Sequence, residues 1–289
     1  GRYTLTWNLA PTAIQPEDLH QAEQLWVQAS FLFSQGQYKE AFPLAERALA
    51  IREALLEPTH PDVLKSLRAL GWNYMAQDRY AEATLLFERA LKASRQAFGT
   101  DHAETLLYLN QLASLYALQK RSLEAEQFFR ESLDIKRRLY GEMNPKVVES
   151  LTSLALFYDD QGRSDEAERL YKQAFELNRR LSQNNASQNA TTAEQSRFNP
   201  SQLGSLYLQQ GRYGEAETTF LASLEQHRRD LGEKDYAVAW DLESLAKLYL
   251  QQGKVDRSLE LLWQVQAIEE YNLALNLANG SESNRRSVL

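Results

Sequence analysis

The sequence contains no cysteine and only 12 glycines and 7 prolines in 289 residues. Without cysteine there is no disulfide framework, no thiolate metal site and no thiol nucleophile on this chain. Scarce glycine and proline suit helix. No apolar run approaches the length of a membrane span. Positive charge is not in excess. The formal net charge is −7, so broad attraction to nucleic acid or to an anionic membrane is not expected. The opening stretch, GRYTLTWNLAPT, does not read as a secretory leader and lacks an initiator methionine. The expectation is a cytoplasmic protein of which this chain is a piece.

What the chain does have is a repeated phrase. The stretch QDRYAEA has relatives in QGQYKEA, QKRSLEAE, QGRSDEAE, QGRYGEAE and QGKVDRS. The place held by Gly36 recurs at Asp78, Lys120, Gly162, Gly211 and Gly253. The spacing is 42 residues throughout, except for one interval of 49. Self-similarity at a fixed period is the mark of a solenoid, in which stacked units bury one another's apolar faces.

Each copy reads as two helices. In the second copy Leu67, Leu70, Gly71 and Tyr74 fall at i, i+3, i+4 and i+7, one face of a helix. After Asp78 a second face follows at Ala83, Phe87, Ala90 and Leu91. The small residue of the first helix recurs as Ala29, Gly71, Ala113, Ala155, Gly204 and Ala246. The residue three further on is Leu32, Tyr74, Tyr116, Tyr158, Tyr207 and Tyr249. Small positions let the two helices approach closely, and the aromatics fill the space beside them.

These columns resemble the tetratricopeptide (TPR) repeat, over residues 19–267. The period exceeds the ordinary repeat of about 34 residues. The excess is placed at the end of the second helix and in the turn after it, as in KASRQAFGTDHAET. The long period and the turn THPDV resemble the kinesin-light-chain type of repeat. The resemblance implies an all-α fold: a right-handed α-solenoid of about six hairpins with a C-terminal extra helix. It also implies that first helices line a concave surface where a partner binds. Residues 1–18 read as an N-terminal arm, in which Tyr3, Leu5 and Trp7 alternate with polar residues. Residues 182–196 read as an exposed low-complexity insertion, which shortens the fifth copy at Pro200. Lys120 replaces the turn glycine, so that turn either avoids a positive φ or is strained.

The search for chemistry finds little. No metal-binding spacing, phosphate-cradling glycine loop or nucleophile elbow is present, and no cofactor is expected. His60 and His102 recur in phase with the repeat, which marks turn-capping or packing rather than ligation. Glu82, Glu124, Glu166 and Glu215 recur near the starts of second helices, where they favour the helix dipole. The pairs Arg137–Arg138, Arg179–Arg180 and Arg228–Arg229 form either a positive ridge for an acidic partner or RNA, or last-turn cations. With an acidic total the second reading is favoured, and nucleic acid is not an expected partner.

Candidate binding residues lie on the first helices, turned well over 90° from the core face at about 100° per residue. They are Lys65, Arg68 and Trp72 in the second copy, with Trp26 and Ser30 at matching places in the first. Asn110 and Ser114 follow in the third copy, Thr152 and Asp159 in the fourth, Ser205 in the fifth, and Trp240 and Lys247 in the sixth. Tryptophan and arginine are typical binding anchors, and Asn110 can pair with a peptide backbone. The structural alternative is that Trp72 and Trp240 pack on adjacent helices or are covered by the chain's own ends. The lysine–asparagine arrangement that grips a C-terminal carboxylate in some TPR proteins is not reproduced.

Residues 268–289 carry an apolar run, Tyr271 to Ala278, past the last repeat. The phrase IEEYNLALNLANGSE resembles the junction between long-period TPR arrays and the caspase-like CHAT domain of bacterial proteins. That resemblance implies a Cys/His protease domain following in cis, with this array as its sensor or recruiting arm. No catalytic residue is carried over. Two functions are therefore expected in order: a non-catalytic module binding a peptide or protein partner in the concave groove, or a kinesin-light-chain-like cargo or scaffold adaptor without a protease.

Overall fold

The computed structural model describes residues 17–188 and 200–286. The described residues form twelve α-helices and no strand. They divide into two compact units, Gly1–Glu142 and Met143–Leu289. The first unit holds α1 (Glu17–Ser34), α2 (Tyr38–Leu55), α3 (Pro61–Met75), α4 (Tyr80–Phe98), α5 (Ala103–Leu118) and α6 (Ser122–Tyr140). The second holds α7 (Pro145–Asp160), α8 (Ser164–Gln188), α9 (Ser201–Gln209), α10 (Tyr213–Leu231), α11 (Tyr236–Gln251) and α12 (Val255–Arg286). Within each unit consecutive helices pack on one another, so each is a stack of three hairpins.

The hairpin turn is one device used six times. The backbone N–H of Gln37, Arg79, Arg121, Arg163, Arg212 and Lys254 reaches back to the carbonyl of Leu32, Tyr74, Tyr116, Tyr158, Tyr207 and Tyr249, at 2.8–3.0 Å. This closure needs a left-handed residue just before the donor. Four turns use glycine, but Asp78 (φ 58°) and Lys120 (φ 60°) adopt it with a side chain. Asp78 is compensated by a bond from the Tyr80 hydroxyl at 2.6 Å.

The next link is a clasp that the sequence columns did not announce. Arg79, Arg121, Arg163 and Arg212 lay their guanidinium groups over the rings of Tyr74, Tyr116, Tyr158 and Tyr207, 4.2–4.4 Å from the centroids. Each also bridges to the glutamate three residues on, Glu82, Glu124, Glu166 or Glu215. These glutamates do stand in the first turns of second helices. Arg212 further joins Glu168 on the preceding hairpin at 2.7 Å, which pulls that carboxyl down to about 2.

Helix entries follow from short local signals. His60 and His102 cap α3 and α5, their imidazoles accepting the N–H of Asp62 and Glu104. Asn144 and Asp235 do the same for α7 and α11. Pro61 and Pro145 sit at helix starts, where a missing N–H costs least. The second helices α2, α4, α6 and α10 run 18 or 19 residues, against 15 or 16 for the first helices α3, α5, α7 and α11. The fifth first helix, α9, has only 9.

Inside the hairpins, Phe87 and Phe220 are fully buried over Gly71 and Gly204. A Cβ at Gly71 would stand 2.7 Å from Phe87, and one at Gly204 2.5 Å from Phe220. Between hairpins, one slot is polar in several copies. Arg52, buried to 2% exposure, donates to Ser66 Oγ at 2.7 Å and also bridges to Glu23. The same slot later holds Ser94, bonded to Thr105 at 3.2 Å. In the second unit it holds His227, whose Nδ1 faces Asp241 Oδ2 at 2.6 Å. Asp241 is fully buried and also accepts from Ser223 at 2.9 Å and from Ser201. The bond to Asp241 raises the His227 pKa, against burial, with help from Asp235 and Asp230.

Some expectations need correcting. Ser182 to Gln188, expected in an exposed loop, continue α8 as helix, because the helical run meets no stop signal there. The rest of the insertion and the arm over residues 1–16 lie outside the described residues. Past the last repeat the chain stays helical: residues 268–286 belong to α12, which runs on without a break.

Two outcomes are expected. Gly71→Ala gains helix propensity but overpacks Phe87, for a net loss of about 1 kcal/mol; adding Phe87→Leu restores it, read by urea denaturation. The second concerns pH. A histidine pKa raised on folding stabilises the fold below the unfolded value of about 6.5 and ceases to do so as pH climbs through the folded value. Stability of the wild-type chain therefore falls over that span, and His227→Gln removes this dependence. A pH series of denaturation midpoints with parallel slopes for both proteins would refute the charged pair.

Candidate functional site

The first helices present their outer faces differently in the two units. In the first unit, α1 and α3 enclose a cavity of about 200 Å3. Lys65, Arg68 and Trp72 line it from α3, and Trp26, Ser30 and Phe33 from α1. Sequence reasoning had placed five of these six on one face, and the structure brings them together. Trp72 is 37% exposed, with its ring edge-on to Phe87 at 6.3 Å between centroids. It is thus both packed and available, which joins the two readings of the tryptophans.

The charges at the cavity are not equivalent. Lys65 Nζ is held by Asp62 at 3.0 Å. Arg68 forms no ion pair among the described residues; it lies near enough to Tyr108 to oppose the rise that burial imposes on that hydroxyl. Trp26 carries the Arg52 guanidinium over its ring at 5.7 Å.

One lining residue was missed. Asn73 sits beside Trp72, is 2% exposed and lines the same cavity. Its amide NH2 donates to the Ala69 carbonyl at 3.0 Å, while its Oδ1 has no partner. Trp26 Nε1 is likewise buried without an acceptor. The signal was present in the columns: Leu115, Phe157, Leu206 and Leu248 occupy the slot of Asn73 in later copies. A lone amide in an apolar column stands out once the column is written down.

Asn110 and Ser114 lie on α5, outside this cavity. Asn110 is half-buried and its Oδ1 already accepts from Ser132 at 2.6 Å; Ser114 is exposed. In the second unit the candidates stand on α7, α9 and α11. Thr152 is 9% exposed and its hydroxyl donates to the Val148 carbonyl at 2.9 Å. Its side chain is too short to emerge from a place that Arg68 reaches out of. Asp159 and Ser205 are half-buried, and burial together with Asp160 raises the Asp159 carboxyl. Trp240 is 59% exposed, and Lys247 is exposed and paired with Glu243 at 3.0 Å.

Five of the six paired arginines are engaged in ion pairs. Arg137 bridges to Glu142, Arg138 to Asp101, Arg179 to Glu176, Arg228 to Glu233 and Arg229 to Asp230. No described helix is long and apolar enough to cross a membrane. Among the described residues no group of three or more His, Asp or Glu side chains is placed to hold a metal ion. The Ser201–Ser223–Asp241–His227 cluster sends its serine protons to a carboxylate, so it ties helices rather than activating a nucleophile.

Comparison with known proteins agrees with this architecture. The tetratricopeptide repeat model matches residues 21–96, 74–138, 104–180 and 198–270. No curated protein matches the chain. Among solved structures, the TPR-like repeats of a putative kinesin light chain from Podosopora anserina are 20% identical, with a TM-score of 0.53. The match covers 90% of this chain and all of that one. A signal-transduction ATPase with a tetratricopeptide repeat sensor from Pyrococcus horikoshii gives a TM-score of 0.66 at 12% identity, over 91% of this chain and 38% of that one. The quorum sensor NprR from B. thuringiensis gives 0.58 at 14%, over 90% and 69%. At these identities the likeness is one of fold. Through the family model, which spans most of its length, the chain belongs to the tetratricopeptide repeat family.

Proposed function

We propose that this chain is a non-catalytic interaction module that holds a peptide or protein partner on the exposed faces of its first helices. The observation that carries the reading is the cavity between α1 and α3. Two tryptophans and an arginine with no ion pair among the described residues line it, on a part-exposed surface. Aromatic and arginine side chains grouped in this way are where binding energy concentrates. In this reading Lys65, Arg68 and Trp72 anchor the partner. Asn110 and Ser114 contribute on α5, and Asp159, Ser205, Trp240 and Lys247 on the first helices of the second unit.

The finer reading is that the array is the sensor or recruiting arm of a TPR–CHAT protein, with the protease domain in cis. Two observations support it. Leu273, Leu275 and Leu277 are exposed on α12, where the outer face of a plain capping helix would be polar. The Pyrococcus horikoshii signal-transduction ATPase of similar fold carries a tetratricopeptide repeat sensor.

The test is affinity capture with the chain, identification of what is held, and titration of that partner against Trp72→Ala/Trp240→Ala. A loss of at least about tenfold is expected, since an anchor residue contributes roughly 2 kcal/mol or more. Unchanged affinity would reject the first-helix faces as the binding surface. For the finer reading, extending the reading frame past Leu289 should reveal a caspase-like Cys/His segment.

A further inference from the structure

The first and last described helices, α1 and α12, each leave bare a face that other copies of the repeat bury. On α1 it is Gln24, Val27 and Phe31, spaced i, i+3 and i+7. All three are exposed, Phe31 to 63%. In later copies the place of Phe31 is held by Asn73, Leu115, Phe157, Leu206 and Leu248, each 4% exposed or less. The place of Gln24 is held by Ser66, Tyr108, Ser150 and Asp241, each 5% exposed or less. Ser66 and Asp241 meet Arg52 and His227 there, from the second helix of the preceding hairpin. The bare face of α1 is therefore the one on which a preceding second helix lies.

On α12 the bare face is Leu259, Leu262, Trp263 and Gln266, spaced i, i+3, i+4 and i+7. All four are exposed, Trp263 to 67%. The place of Gln266 is held elsewhere by Leu49, Leu91, Leu133 and Leu224, each 6% exposed or less. The places of Leu259 and Trp263 are where second helices meet the next hairpin. Glu88, at the place of Trp263, accepts from the Tyr116 hydroxyl. Glu168 and Glu217, at the place of Leu259, accept from Tyr207 and Tyr249 at 3.4 and 2.7 Å.

The two bare faces depart from the repeat in matching ways. On α12 both carboxylate places are apolar, so a further hairpin of the usual kind would bury its tyrosine hydroxyl there without an acceptor. Among the six first helices α1 alone brings no tyrosine, having Leu32 in its place. The polar slot agrees. Glu269 stands at the place of Arg52 and His227, and Gln24 at that of Ser66 and Asp241. Seated as the hairpins seat on one another, the Gln24 amide would donate to the Glu269 carboxylate.

We propose that α1 of one copy of this chain seats on α12 of a second copy in the register of an internal hairpin junction, with Phe31 and Val27 against Leu259 and Trp263 and with Gln24 opposite Glu269. The contact joins two different faces, so it is head-to-tail. It uses surfaces other than the partner-binding residues named above.

The test is sedimentation velocity of the whole chain over a concentration series reaching about 0.5 mM, where even a pairing with a dissociation constant of about 0.1 mM is populated. The expected result is a mass that rises with concentration. Phe31→Asp and Trp263→Asp should each weaken the association at least about tenfold. Both residues are exposed, and far-UV circular dichroism checks that the fold is kept. Mixing the two variants should give a complex of two chains and nothing larger, because only the intact α12 of one and the intact α1 of the other can pair. Gln24→Glu, which sets like charges opposite one another, should weaken the association of the otherwise wild-type chain, and adding Glu269→Lys should restore it. A wild-type chain that stays monomeric across the series would overturn the proposal and give the two faces other occupants. Association that survives either aspartate variant would do so too, since like faces would then be pairing. A mixture that stays monomeric, or a Gln24→Glu chain that associates unchanged, would equally sink the junction register.

Discussion

No hairpin in this chain can bury its own apolar face, and everything else in the structure serves that constraint. The first helix of each pair carries a narrow face closed by a small residue and, in five of the six copies, a tyrosine, and the second helix supplies the lid. Phe87 over Gly71 and Phe220 over Gly204 show the limiting case, in which the approach is so close that only a missing side chain allows it. Once two helices are that near, the turn joining them has little freedom. It is closed in every copy by the same reverse hydrogen bond, even where Asp78 and Lys120 must enter left-handed space to permit it. In four copies the donor is an arginine, held over the tyrosine that accepts the bond and fixed by the glutamate of the next helix. Turn, ring and ion pair form one unit because the backbone brings them to one place.

A repeat also faces a problem that a unique domain does not: its surfaces look alike. The polar slot between hairpins answers it locally. Arg52 with Ser66, Ser94 with Thr105 and His227 with Asp241 occupy comparable places with different chemistry. A hairpin moved to another copy's place would leave one of these groups buried without its counterpart, and such mismatches cost far more than a well-made pair returns. Keyed junctions of this kind keep similar parts in order.

Much of this was legible in the sequence. The period, the paired helices, the histidine caps and the short fifth first helix followed from residue type and spacing, since each is a local consequence of backbone geometry. What escaped depends on neighbours. The angular position of Thr152 matched that of Arg68, yet only a long side chain emerges from that depth, and the threonine turns its hydroxyl back to its own helix. Asn73 was passed over because it lies on the core face, where the eye expects packing. The arginine clasps were visible as residues but not as a device, because a ring and a guanidinium five residues apart meet only after the turn has folded.

The brevity of α9 has a mechanical meaning. With 9 residues it rises about 14 Å, against about 24 Å for its 16-residue counterparts α7 and α11. Fewer rungs of backbone bonding resist a pull along that helix. If tension is applied to the second unit through its ends, the fifth hairpin is the element that yields first, which makes it a fuse placed between stiffer springs.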